Sequence, residues 1–207
     1  MLTIPQAVRN IAKIAKRSTP NNWATGVTWY SIAHTFCVTA SEAYAIPLDK
    51  VVGVLALLSP QCAWETNKLA TLDMLERRDT TRQVYPDNIT KALRLLNGET
   101  FEQITNHRRY GHKVRAFYDN ILLLDKSEAV TVDTHATRAA FNLVDLSTRH
   151  VRWVFECGGN KVIAEAYKQV ARHYKIAPHK LQATVWLHVK DSLERNTSCQ
   201  NLTTLQP

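Results

Sequence analysis

Residues 110–135 read YGHKVRAFYDNILLLDKSEAVTVDTH. Val114–Leu124 carries apolar residues every three or four positions, the stripe of an amphipathic helix. Asp125–Glu128 is a polar loop, and Ala129–Val132 is the one run with strand character. Four residues are too few to anchor a sheet, and no second candidate stands ready to pair with them. A new helix, Asp133–Leu143, follows at once. The fold is therefore read as all-α.

The rest of the chain agrees. Toward the N-terminus the periodicity predicts helices over Ile4–Arg17, Trp23 to about Ala45, Leu48–Leu58, Trp64–Arg78 and Pro86 to about Leu96. Asn21 and Asn22 are placed to cap the second of these, and Thr100 with Gln103 offers a capping box for a short turn. Leu48–Leu58 is apolar on most sides and must be buried. Toward the C-terminus the pattern gives Thr148–Glu156, Lys161–Tyr174 and Pro178–Leu193, with Gly158-Gly159 as a break. The expected organisation is a single helical domain over 1–195, built of two sub-lobes with a cleft between them, and a frayed polar tail over 196–207.

Composition narrows the classes. The 207 residues include only 6 Gly and 7 Pro, few for a turn-rich β protein. The longest nearly apolar run, Val51–Leu58, spans eight residues against the ~18 of a membrane span. The N-terminal MLTIPQAVRNIAKIAKR lacks the apolar core of a signal peptide. Cys37, Cys62, Cys157 and Cys199 are widely spaced with no CxxC, so neither zinc nor a disulfide framework is indicated. A cytoplasmic monomer without metal or cofactor is expected. The 26 Lys and Arg exceed the 18 Asp and Glu, giving a net charge of +8 that suits a polyanionic partner. The charge is concentrated at His107–Arg115, HRRYGHKVR, which holds four Lys and Arg and no acid.

Three segments carry a resemblance. Leu57–Gln61 reads LLSPQ, followed by Asn67 and Ala70; Lys113 sits at a helix start; and Val132–His135 reads VDTH, twenty residues beyond that lysine. In this order and spacing the chain resembles the helix-hairpin-helix base-excision DNA glycosylases, the superfamily of endonuclease III and the 8-oxoguanine glycosylases. LQATVWLHVK at Leu181–Lys190 is similar to the closing helix of that domain, so the likeness covers about Leu48 to Lys190. The text GHKVRAFY…VTVD also resembles small phage proteins of this fold.

The resemblance implies a two-lobed helical fold, double-stranded DNA as partner and a flipped base as substrate. It makes Asp133 the catalytic carboxylate and Lys113 a Schiff-base nucleophile, and it lets Gln61 fill the gap left by the everted base. It places Asn67, Lys68, Arg108, Arg109, Tyr110, Gly111, His112 and Arg115 toward DNA. Read from the residues alone, Asp133 is equally a helix N-cap and Lys113 a solvated lysine. His135 is expected to brace the loop holding Asp133. Two departures stand out. The family's LPGVGxK hairpin is here Arg109-Tyr110-Gly111-His112-Lys113 with one glycine left, so Arg108, Arg109 and Arg115 would take phosphates by side chain. The four-cysteine iron–sulfur loop is missing, since Cys199 stands alone. A base-modifying transferase on the same scaffold and a non-catalytic DNA-binding module are the competing classes.

Overall fold

A computed structural model describes residues 1–106 and 111–203, with side chains through Arg195. In chain order the helices are α1 (Ile4–Arg17), α2 (Pro20–Tyr44), α3 (Leu48–Leu58), α4 (Trp64–Arg77), α5 (Pro86–Leu96), α6 (Phe101–Thr105), α7 (Gly111–Leu123), α8 (Thr134–Phe141), α9 (Thr148–Glu156), α10 (Gly159–Tyr174) and α11 (Pro178–Thr203). No strand occurs among the described residues, so the protein is all-α. The chain divides into two compact units, residues 30–127 and residues 1–29 with 128–207.

The unit formed by the two ends of the chain is built on α1. Thr3 caps α1 with a reciprocal box to Gln6, Pro5 occupies the first turn, and Ala7, Ile11, Ile14 and Ala15 are buried on one stripe. That stripe packs on α8, α10 and α11. Ile11, Ile163, Leu181 and the large Tyr167 are fully buried in the shared core. Each aliphatic side chain so buried contributes about 1.5–3 kcal/mol. The run Ala129–Val132 is neither helix nor strand; it sends Val130 and Val132 into this core.

Several helix ends differ from the sequence expectation, each for a local reason. α2 begins at Pro20 because Thr19, not an asparagine, is the cap: Asn22 N–H donates to Thr19 Oγ1 and Thr19 N–H to Asn22 Oδ1, both at 3.1 Å. α10 begins at Gly159. Gly158 takes the left-handed φ of 81°, while a Cβ on Gly159 would lie 2.4 Å from the Trp153 ring. Only one of the two glycines is the break; the other is a packing contact. α11 continues to Thr203, since no Gly or Pro interrupts it between Pro178 and Pro207, so the tail is helical beyond Asn196.

In the unit of residues 30–127, α3 is the centre. Val51–Leu58 is wholly buried, with α4, α5 and α7 packed around it. Its continuous apolar run is what a helix covered on all sides requires. Gly53 admits Leu95, whose Cδ2 would stand 2.4 Å from any Cβ added there. The predicted capping box of α6 is present, Gln103 N–H donating to Thr100 Oγ1 at 3.2 Å. α7 opens at Gly111, three residues before the start that its apolar spacing predicts.

Candidate functional site

Asp133 stands at the junction of the largely buried run Ala129–Val132 and α8. As N-cap it accepts from Ala136 N–H at 2.8 Å through Oδ1. Its second oxygen, Oδ2, accepts from the indole Nε1–H of Trp186 at 3.0 Å, a donor from α11. Thr137 Oγ1 donates to the Asp133 carbonyl at 2.7 Å. The carboxylate is half-buried, and each of its oxygens has one fixed N–H donor. An ionised acid at a helix N-terminus also gains from the helix dipole.

The surroundings of Asp133 are aromatic. His135 meets the Trp186 ring edge-on, with centroids 5.4 Å apart, and Lys190 Nζ lies 5.6 Å from the Trp186 ring centre on another side. Tyr167 is completely buried, and its hydroxyl has no hydrogen-bond partner among the described residues. Burial, reinforced by the negative charge of Asp133, pushes that phenol well above its ordinary range. The carboxylate thus has an indole donor bonded to it and a buried phenol within reach of its charge.

Lys113 belongs to the other unit, as the third residue of α7. It is half-buried and, among the described residues, makes no hydrogen bond or ion pair. His112 and Arg115 flank it. Burial first, then the charges of Arg115 and Lys113, hold the His112 imidazole below its usual range. Burial raises the Asp119 carboxyl, an effect partly offset by Arg115 one turn earlier.

Gly111 is buried, and the approach its missing side chain permits is internal. A Cβ there would fall 1.9 Å from the Thr105 carbonyl oxygen. The glycine was expected to face DNA; in the structure it seats the start of α7 on the end of α6. Gln61 is exposed and holds a left-handed φ of 56°, a costly conformation for a side-chain-bearing residue. Its Oε1 accepts from Tyr85 Oη at 2.6 Å. Gln61, Tyr85, Asn88, Lys91, Thr105 and Gly111 share a cavity of about 380 Å³, so two of the expected residues meet at one opening.

Asn67 corrects an expectation. It was placed toward DNA but is only 2% exposed. Its Nδ2 donates to the Leu55 carbonyl at 3.2 Å, and Oδ1 has no partner among the described residues. An asparagine one turn into α4 is used to tie that helix to the buried α3. Lys68 is engaged with Glu65 at 2.8 Å and lies 5.6 Å from the Trp64 ring centre. Arg108, Arg109 and Tyr110 lie outside the described residues. Trp186 and Tyr167 had no assigned role in the sequence. An apolar helical stripe conceals which indole nitrogen will face a carboxylate 53 positions away.

Among the described residues no group of three or more His, Cys, Asp or Glu is placed to hold a metal, and no helix is long and apolar enough to cross a membrane. Fold and site together define an all-helical protein with a braced carboxylate in one unit and a basic helix start in the other. Residues 1–193 match the profile of a family of unknown function (DUF7178), and the chain belongs to that family. No curated protein and no solved structure matches it.

Proposed function

We propose that this protein is a DNA glycosylase that excises a flipped base, with Asp133 as the catalytic carboxylate and Lys113 as an amine nucleophile. The observation that carries the reading is the bracing of Asp133. Cleaving the C1′–N bond sends the bonding electron pair out with the base and leaves positive charge on the sugar. A carboxylate fixed beforehand, with no reorganisation left to make, stabilises that charge. Asp133 is such a group, with one donor on each oxygen. Lys113 then adds its nitrogen to C1′ and loses a proton, and ring opening gives a Schiff base that permits strand cleavage.

Two further features support the reading. The VDTH text that motivates it lies at a helix N-terminus after a largely buried run, and Lys113 has no ion-pair partner among the described residues. The guanidinium of Arg115, two residues beyond it, suits a phosphate-bearing strand.

The test is borohydride trapping on duplex DNA containing an abasic site, run beside detection of free bases released from duplexes with uracil, 8-oxoguanine or alkylated purines. A covalent adduct that disappears in Lys113→Ala, together with base release that persists in that variant, is the expected result. Wild-type protein that binds duplex DNA but neither traps nor releases any base overturns the proposal.

A further inference from the structure

A second opening lies in the unit formed by the chain ends, on residues that the proposed excision chemistry does not use. It is a cavity of about 570 Å³, bordered by Arg9 and Asn10 of α1, Phe141 at the end of α8, and Arg149, His150 and Trp153 of α9. The volume is that of a small-ligand site. Its walls divide by chemistry into a cationic rim and an aromatic floor.

On the rim, Arg9 and Arg149 are exposed, and neither guanidinium has an ion-pair partner among the described residues. Other surface arginines nearby are neutralised: Arg152 by Glu156 at 3.5 Å and Arg172 by Glu165 at 3.2 Å. No Asp or Glu lines the opening. Two uncompensated guanidiniums beside one cavity favour an anion, and their planar forks match phosphate oxygens.

The floor is rigid. Phe141 meets Trp153 edge-on at 5.7 Å and His150 at 4.5 Å. His150 is held by the helix cap: its Nδ1 accepts from Ser147 N–H at 3.2 Å, so the neutral ring carries its proton on Nε2. Asn10 Nδ2 donates to the Ala140 carbonyl at 2.8 Å, tying α1 to the end of α8. Aromatic rings held in place offer stacking surface to a planar base at little entropic cost.

We propose that this opening binds a nucleoside phosphate, its phosphate on Arg9 and Arg149 and its base against Trp153 and Phe141. The same chemistry is presented by a free nucleotide and by the phosphorylated end of a DNA strand. The site is independent of Asp133 and Lys113, so it stands or falls apart from the excision reading.

Calorimetric titration of the full chain tests it, with deoxyadenosine 5′-monophosphate, inorganic phosphate, and a single-stranded decamer with or without a 5′-phosphate as probes. Saturable binding of the nucleotide, or of the phosphorylated decamer in preference to the unphosphorylated one, is expected. Whichever of the two binds more tightly identifies the source. Arg9→Ala and Arg149→Ala should each weaken it at least tenfold at unchanged melting temperature, while Arg152→Ala leaves it unchanged. Because both arginines are exposed, these variants keep the fold. Binding that is absent for every probe, equal for inorganic phosphate and nucleotide, or indifferent to both arginines overturns the assignment.

Discussion

Asp133 and Lys113 are the two residues on which the proposed chemistry rests, and their surroundings differ in kind. Asp133 is fixed three times over, by the Ala136 N–H, by the Trp186 indole and through its own carbonyl by Thr137. Among the described residues the Lys113 side chain has no hydrogen bond or ion pair, and it stands on a helix whose first residue packs against the Thr105 carbonyl. Each arrangement fits its task. A carboxylate that stabilises charge works best when immobile, whereas an amine that attacks and then carries a ring-opened sugar has to move.

Removing the side chains should expose the contrast. Asp133→Ala strands the half-buried Trp186 N–H and deletes a helix cap; the lost cap costs about 0.5–2 kcal/mol and the unpaired indole adds to it. Melting of that variant should fall clearly, whereas Lys113→Ala should stay within about 0.5 kcal/mol of wild type. Equal losses in the two would break the comparison.

Backbone support at α7 is tested by Gly111→Ala. The added methyl meets a backbone oxygen that cannot swing aside, and overpacking of this type costs about 1–3 kcal/mol. Chemical denaturation should show that loss even with no DNA present. A neutral Gly111→Ala would return the glycine to the role of a DNA-facing residue.

The smallest effect concerns pH. The folded state holds His112 below its ordinary value of 6.5, by burial and by Arg115 and Lys113, so the unfolded chain binds the proton more readily. Stability from this group is present above about pH 6.5 and is lost as pH falls through the lower folded value. The N-terminal turn of α7 acts in the same direction, since a helix dipole disfavours a cation there. His112→Gln should narrow the difference in melting temperature between pH 7.5 and pH 5.5. His188 is shifted likewise by burial and Arg195, so part of the difference should remain.

Much of this molecule could be read from local pattern. The apolar stripe of α1, the all-round apolar α3 and the Thr100–Gln103 box are short-range signals, and each element forms where its residues require. Asp133 as a cap belongs to the same category. What escaped was tertiary. Asn67 looks like a surface residue until α3 supplies a carbonyl for it, and Gly111 looks like a DNA-facing glycine until Thr105 is placed beneath it. The Trp186–Asp133 bond links residues 53 positions apart, and no periodicity announces it. Helix starts shifted for a related reason: at α2 Thr19 caps in place of the asparagines, and at α10 the helix takes in Gly159 directly after the left-handed Gly158.

The central claim is that Asp133 acts through its charge and not merely through its shape. Single-turnover base release by Asp133→Asn, measured on whichever duplex the wild type cleaves, separates the two. Asparagine caps a helix about as well as aspartate and can still accept from Ala136, so the fold should persist with a modest loss from the mismatched Trp186 donor. The account predicts a rate reduced by about 10²–10⁴-fold with DNA binding retained. A variant that releases base at the wild-type rate would contradict it.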